Sequence, residues 1–596
     1  MREQKHTARW TAWAALVLCA LMAAYLGLTA LFTLEWQGID WQDSRQFRAL
    51  CQGWNDRVAT AVADSIALES DTISYVERQQ LEGTMAEFEA DADASQTNYR
   101  FRLLDRSGKE LSSNLGDGES LLSALGRAGF SLPAAGGGRG RCGKCRVQVN
   151  GAPRLACKVF PQGGEQVALP ETVSGVILGD TLPPPPCQPG RTGLSAAVDL
   201  GTTTVVVKLY DCADGKELAA QGAWNAQAPY GADVISRIQH TMDTPEGLKE
   251  LSGRIREQIW TLLEAALSAA NRPPEALNEI VVAGNTVMES LFAGRSVAGM
   301  AAAPFHPDSL FFGPEGMGEL NGVPVRLLPC VAGYVGGDIT AGLMASGLGE
   351  QPGEHLFLDV GTNGEMAMGG QNGFSCCAVA SGPAFEGAGI QCGMPGVAGA
   401  VSHVRYDRGF LYDVIGDGPA RGLCGSGLVD LAAVLRKLGI IAPGGRLLPP
   451  EEVAPELRRY VERDGDGNGL FRLTPQVYLT AGDVRNLQLA KAAVAAGIQV
   501  LSQRRGVPLE QVDGLYLAGG FGTYIDPGSA MAIGMLPPVL AGKVRPLGNT
   551  ALAGAAALAL DGRLWPKVED TARGCDYIEL SGQPDFTRAF TENMGV

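Results

Sequence analysis

Three stretches of this chain share one hydrophobic pattern. In Ala197-Val198-Asp199-Leu200-Gly201-Thr202-Thr203-Thr204-Val205-Val206-Val207 an apolar run enters a short polar turn and a β-branched run leaves it. That pattern predicts two strands joined by a tight turn. Leu358-Asp359-Val360-Gly361-Thr362-Asn363-Gly364-Glu365-Met366-Ala367-Met368 repeats the device, and Leu515-Tyr516-Leu517-Ala518-Gly519-Gly520-Phe521-Gly522 carries an apolar strand into a glycine turn. Upstream, Leu121 to Ala128 has helical spacing. Tyr99 to Leu103 alternates like a strand, and Asp105 to Gly108 is a turn before another short strand. Ser44 to about Ala92 is charged and helix-prone.

The turns carry the candidate chemistry. Gly201 lets the backbone approach a ligand closely or take a positive φ. Thr202, Thr203 and Thr204 offer hydroxyl and amide donors, and Asp199 can hold a cation through water. Together they suit a Mg-bound phosphate chain, although the turn is no Walker loop and no helix follows it directly. A plain hairpin with a Thr-rich turn is the competing reading, and the second Asp-x-Gly-Thr copy weighs against it.

Two Asp-x-Gly-Thr hairpins and a later Ala-Gly-Gly turn resemble the signature of the ATPase superfamily of acetate and sugar kinases, actin and heat-shock chaperones. The resemblance implies two ribonuclease H-like domains closing over ATP. The phosphates would lie between the hairpins (Gly201, Thr202, Thr203, Thr204; Gly361, Thr362, Asn363), and Gly519, Gly520 and Phe521 would contact the adenosine. Asp199 and Asp359 would position Mg2+ and the attacking water. Ala283-Gly284-Asn285-Thr286, Val335-Gly336-Gly337-Asp338, Ser381-Gly382-Pro383-Ala384-Phe385-Glu386-Gly387, Gly422-Leu423-Cys424-Gly425-Ser426-Gly427 and Gln488-Leu489-Ala490-Lys491 narrow it further. They resemble the ATP-dependent reductive activators of corrinoid proteins, which carry a ferredoxin domain ahead of the ATPase. The resemblance implies ATP-driven delivery of an electron to cobalt, Co(II) to Co(I), with a corrinoid protein and an electron donor as partners. Each ~100 mV of uphill transfer costs about 2.3 kcal/mol per electron, and plant-type clusters sit near roughly −400 mV.

Composition narrows the alternatives. The net charge of −16 argues against a nucleic-acid partner. Five histidines in 596 residues make a His-based site unpromising, and no Gly-x-Ser-x-Gly elbow or Walker lysine motif is present. Thirteen cysteines without paired spacing fit a reduced protein with one metal cluster better than a disulfide framework.

That cluster would sit after Gly116. Ala134 to Val149 holds a Gly-rich loop leading into Cys142-Gly-Lys-Cys145, and Cys157 follows. Plant-type [2Fe–2S] ferredoxins use a Cys, a Gly-rich loop, Cys-x-x-Cys and a distant fourth Cys. Cys142, Cys145 and Cys157 match three ligands, whereas Gly136 stands where the first belongs. Cys187 and Cys51 are candidates for the missing thiolate, and a zinc or redox Cys-x-x-Cys pair is the alternative.

Other polar candidates are Asn225, Gln227, Tyr230, Gly231, Asp233 and Arg237, with Asp233 and Arg237 spaced for an i,i+4 ion pair on a helix, and Asp338 and Glu386. Cys376, Cys377 and Cys392 read as small core residues.

Trp10 to Leu34 carry no charge and are long enough for one transmembrane helix. Flanking charges put the N-terminus in the cytoplasm, yet ATP and a reduced cluster belong to the cytoplasm too. The expectation is a single-pass membrane protein whose soluble domains face the cytoplasm.

The expected fold is α/β: a membrane anchor (1–36), a juxtamembrane spacer (37–115), a β-grasp ferredoxin-like domain (116–180), a proline-rich linker (181–194) and an actin-like ATPase (195–596). Two other functions stand beside reductive activation: a membrane-tethered, ATP-switched binding module with a degenerate cluster, and a small-molecule kinase.

Overall fold

The computed structural model describes residues 186–596, except 232, 417 and 466. Upstream it describes 100–104, 110–114, 120–122, 125, 145–149, 152–160, 166–168 and 182.

A small five-stranded sheet comes first. Its strands are β1 (Arg100–Leu104), β2 (Glu110–Asn114), β3 (Arg146–Val149), β4 (Ala152–Leu155) and β5 (Gln166–Ala168), in the order β2-β1-β5-β3-β4. β1 and β5 run parallel and the other pairs antiparallel. The sheet therefore starts at Arg100. Val147 and Val167 pack with Leu121, Leu122 and Leu125, and the same small core takes in Cys145 and Cys157.

The first large lobe is a six-stranded sheet. It contains β6 (Leu194–Leu200), β7 (Thr204–Asp211), β8 (Glu217–Trp224), β9 (Leu277–Gly284), β10 (Met317–Leu320) and β11 (Val323–Leu327), in the order β10-β11-β9-β6-β7-β8. Three strands form an antiparallel meander, and β9 lies parallel to β6. The second lobe repeats the plan with β12 (His355–Val360), β13 (Gly364–Gly370) and β14 (Gly373–Val379). Two three-stranded sheets are inserted after it: β15 (Ala400–Tyr406), β16 (Phe410–Val414) and β17 (Gly422–Leu423), then β18 (Val461–Arg463), β19 (Gly469–Arg472) and β20 (Tyr478–Leu479). β21 (Gly514–Ala518), β22 (Val544–Gly548) and β23 (Cys575–Tyr577) complete the main sheet, ordered β22-β21-β12-β13-β14-β23. The strands are near-continuous apolar runs because helices cover them, as in α/β proteins.

Two helices tie the lobes together. Helix Gly337–Ser346 leads into the second lobe and sets Ile339 and Leu343 against Phe357, Ala367 and Tyr516 of its sheet. Helix Thr550–Leu560 leaves the second sheet but packs Ala551, Leu552 and Ala555 against Ala197, Val206 and Val281 of the first. The helices touch so closely that a Cβ on Gly554 would collide with the Ala341 carbonyl. At the C-terminus, helix Pro584–Glu592 lies on the second lobe, with Arg504 bridged to Asp585 at 2.7 Å.

The single-pass membrane localisation is corrected. Among the described residues no helix is long and apolar enough to cross a bilayer. The longest, Gly247–Ala269 and Ala481–Arg505, carry Lys, Arg, Asp and Glu along their length. The run from Trp10 to Leu34 lies outside the described residues.

Candidate functional site

Both Asp-x-Gly-Thr segments form the expected hairpins. β6 pairs with β7 up to Leu200↔Val205, and β12 pairs with β13 up to Val360↔Gly364. Asp199 and Asp359 thus sit one residue from the carboxyl ends of central strands, where open α/β sheets place their ligands. The turns meet through one side chain. Thr203 Oγ1 of the first and Thr362 Oγ1 of the second both donate to Glu386 Oε2, at 3.1 and 3.0 Å.

The first turn is held from behind by its carbonyls. Asn225 Nδ2 donates to Gly201 O at 2.8 Å, Arg237 Nη2 to Thr202 O at 2.6 Å, and the Asn225 amide to Thr203 O at 2.9 Å. Asn285 caps helix Thr286–Ala293 by accepting from the Met288 amide, and its Nδ2 donates to Thr202 Oγ1 at 3.0 Å. The expected Asp233–Arg237 ion pair does not form. Asp233 is the N-cap of helix Val234–Asp243, accepting from the Ser236 amide at 2.7 Å. Arg237 is instead buried under the turn. The Asp-x-x-Ser spacing at 233–236 was a capping signal available in the sequence. Gly201 is not at positive φ; glycine is needed there because a Cβ would stand 2.7 Å from the Thr204 carbonyl.

The expected glycine turn after β21 is instead the start of a short helix, Gly519–Tyr524, and its first residue closes on the second aspartate. Gly519 has φ +79°, and a Cβ on it would lie 2.5 Å from Asp359 Oδ1. Gly520 faces open space. Phe521 stacks on Phe385 with centroids 4.6 Å apart and rings 19° from parallel. This gives the N-terminus of the short helix an aromatic flank.

Buried carboxylates lie close enough behind the turns to raise one another. Burial pushes Asp199 up to about 6, opposed by the hydrogen bond from Asn549 Nδ2 at 2.7 Å. Burial, then the charge of Asp199, raises Asp338 to about 7. Burial and the charges of Asp338 and Asp199 raise Asp359 to about 7. Glu365, opposite Asp359 in the ladder, is raised well above its ordinary value by burial and by Asp338 and Asp359. Glu289, buried and bonded to the Gly284 amide, is raised in the same way. Acidic groups held this close favour a divalent cation. Among the described residues no three His, Cys, Asp or Glu side chains come near enough to share one ion directly. The donor set therefore fits Mg2+ held through water, the habit of an ion that keeps much of its hydration shell. Sequence reasoning did not single out Asn549, Glu365 or Glu289. Asn549 sits in Gly-Asn-Thr ahead of an apolar run, an N-cap pattern that marks the helix but not the aspartate it reaches.

In the small module, Cys145 and Cys157 are buried with their sulfurs 3.2 Å apart, close enough to bind one metal centre. The β3–β4 hairpin brings them together by pairing Arg146 with Leu155. Cys142 and Gly136 lie outside the described residues.

Comparison with known proteins agrees with this geometry. Residues 354–596 match the family model described as the C-terminal domain of RACo, the ASKHA domain, and 194–351 match the RACo middle region. The corrinoid activation enzyme RamQ of Eubacterium limosum is 33% identical over 417 residues, 67% of this chain and 69% of that protein. The Co(II) methylated amine-specific corrinoid protein reductase of Methanosarcina barkeri is 25% identical over 435 residues, covering 66% and 75%. A solved structure of a reductive activator for corrinoid, iron–sulfur protein covers 83% of this chain and 98% of its own, at 27% identity and a TM-score of 0.62. The chain belongs to the RACo family, the ATP-dependent reductive activators of corrinoid proteins built on the ASKHA ATPase fold.

Proposed function

We propose that this chain performs its family's reaction, the reduction of a corrinoid protein's Co(II) to Co(I), by gating electron delivery with ATP bound between its two Asp-x-Gly-Thr turns. The observation that carries this reading is the meeting of Thr203 and Thr362 on Glu386, which sets the turns face to face. Thr202, Thr203, Thr204, Thr362 and Asn363 would hold phosphate oxygens with hydroxyls and amides. Asp199 and Asp359, with Asp338 beside them, would fix the water shell of Mg2+ and orient the attacking water. Gly519, Gly520 and Phe521 would take the adenosine.

Lobe closure on ATP would favour the complex with the corrinoid protein, and hydrolysis would release it. A nucleotide shifts that equilibrium only by its differential affinity for the two states. A [2Fe–2S] cluster on Cys142, Cys145 and Cys157 would supply one-electron transfer from an external donor. The buried Cys145–Cys157 pair supports that ligand set, and Gly136 leaves the fourth ligand to another thiol or to water.

The reading is tested by ATP turnover with and without a Co(II) corrinoid protein under anaerobic conditions. Stimulation by the Co(II) form, and none by the alkylated form, is expected. Transfer of phosphate to a metabolite in place of that stimulation would favour a kinase.

A further inference from the structure

Arg237 is buried, and its guanidinium is bonded in four directions. Nε donates to Gly231 O at 3.0 Å. Nη1 donates to Gln227 Oε1 at 3.1 Å and to Met288 Sδ at 2.9 Å, and Nη2 to Thr202 O at 2.6 Å. All four acceptors are neutral. The nearest acid along its helix, Asp233, spends its carboxylate on the Ser236 amide and hydroxyl. The charge of Asp233 offsets part of the cost of burying this cation but does not bond it, so a further anion near it is favoured.

The Thr202 carbonyl shares a peptide unit with the Thr203 N–H. A charged donor on the oxygen draws electron density from the amide, making that N–H a stronger donor, since linked hydrogen bonds reinforce one another. The unit's dipole also directs its positive end away from Arg237.

We infer that Arg237 is a positioning residue for the nucleotide: it fixes the Thr202–Thr203 peptide and relays its positive charge through it to a phosphate oxygen of ATP. This inference rests on the nucleotide reading of the first turn. It explains why a guanidinium stands there. One planar fork reaches Gly231, Gln227 and Thr202 at once, whereas lysine offers a single compact ammonium. It also explains how a site with Asp199, Asp338, Asp359 and Glu365 buried nearby could accept a polyanion, since Mg2+ would offset the acids and Arg237 would add positive charge through the turn. Burial lowers the guanidinium to about 9 against the opposing charge of Asp233, so it stays charged at neutral pH.

The test titrates the full-length protein with the Mg2+ complex of a β,γ-imido ATP analogue. Wild type, R237K and R237Q are compared, each first checked by thermal melting. Loss of a hydrogen bond relayed from a charge should weaken binding roughly tenfold or more in R237Q. R237K, which keeps the charge but not the fork, should fall between. KM for ATP should rise with kcat little changed, as for lost uniform binding; partial unfolding would instead lower the active fraction and leave KM alone. Selective 15N-threonine labelling of wild type adds an independent readout: the Thr203 amide, assigned by its loss in T203S, should move when the analogue binds. If wild type does not bind the analogue, the nucleotide reading fails. If wild type binds it and a folded R237Q binds equally well, or the Thr203 amide does not move, the role given to Arg237 is wrong.

Discussion

Asn549 donates from Nδ2 to Asp199 Oδ2 at 2.7 Å across 350 residues of sequence. Its Oδ1 accepts from the Leu552 amide at 2.9 Å, capping helix Thr550–Leu560. The cap fixes which end of the amide faces Asp199. One residue thus links the helix that crosses between the lobes to the aspartate of the first hairpin.

The variant N549D keeps the cap and replaces the donor to Asp199 with an acid. Aspartate caps as well as asparagine, but a second carboxylate against buried Asp199 costs stability where both ionise, so the melting temperature should fall at pH 8 and recover towards pH 5.5. A carboxylate facing Asp199 would repel it, and ATP hydrolysis should fall at least tenfold. N549A should lose the cap as well, at about 1 kcal/mol. Wild-type hydrolysis in N549D would remove Asn549 from the site.

The aspartates should behave alike. D199N and D359N should each lose 10- to 100-fold in Mg2+-dependent ATP turnover, the range seen when groups that orient a metal's shell are replaced. Both should remain folded, because a neutral amide is less costly than a buried charge. Full activity in either would sink its assignment.

Gly519→Ala combines two penalties. The φ of +79° costs an L-residue about 1–2 kcal/mol, and the added Cβ presses on Asp359 Oδ1. A lower melting temperature together with weaker nucleotide binding is expected. G520A, whose added methyl meets no protein atom and would enter the space given to the adenosine, should weaken nucleotide binding without lowering the melting temperature.

The raised carboxylates give stability a sign with pH. Asp199, Asp338 and Asp359 hold protons in the folded chain up to about 6, 7 and 7, against 3.8 as the ordinary value. Between these limits the folded state binds more protons than the unfolded one, so stability falls as pH rises. Without Mg2+ and nucleotide, the melting temperature should drop from pH 5.5 to pH 8, and D359N should flatten the drop. A rise over that range would contradict these buried, raised acids.

The iron content of the small module tests its ligands. C145S and C157S should each abolish iron retention, and G136C, which supplies a fourth cysteine, should increase it above wild type. Equal iron in C145S and wild type would take the cluster off this pair.

The hairpins were legible because strand, turn and strand are adjacent in sequence and each carries its own apolar signature. The strand before Gly519 was legible too, but two adjacent glycines read as a turn, whereas the strand runs straight into the helix Gly519–Tyr524. What joins the hairpins was not legible. Glu386 stood out only as an acid in a glycine-flanked turn, and nothing local says that Thr203 and Thr362 converge on it. Arg237 was misread because spacing on a helix suggests a partner on that helix, whereas a fully buried guanidinium answers to the tertiary acceptors around it. Asn549 was invisible as a site residue because its partner belongs to the other lobe's hairpin.

The most direct test of the central claim is an anaerobic absorbance record of a Co(II) corrinoid protein mixed with this chain and a low-potential electron donor. The account predicts that the Co(II) band gives way to Co(I) when Mg-ATP is added, and that D359N leaves it unchanged. Equal formation of Co(I) without ATP, or none with it, would contradict the account.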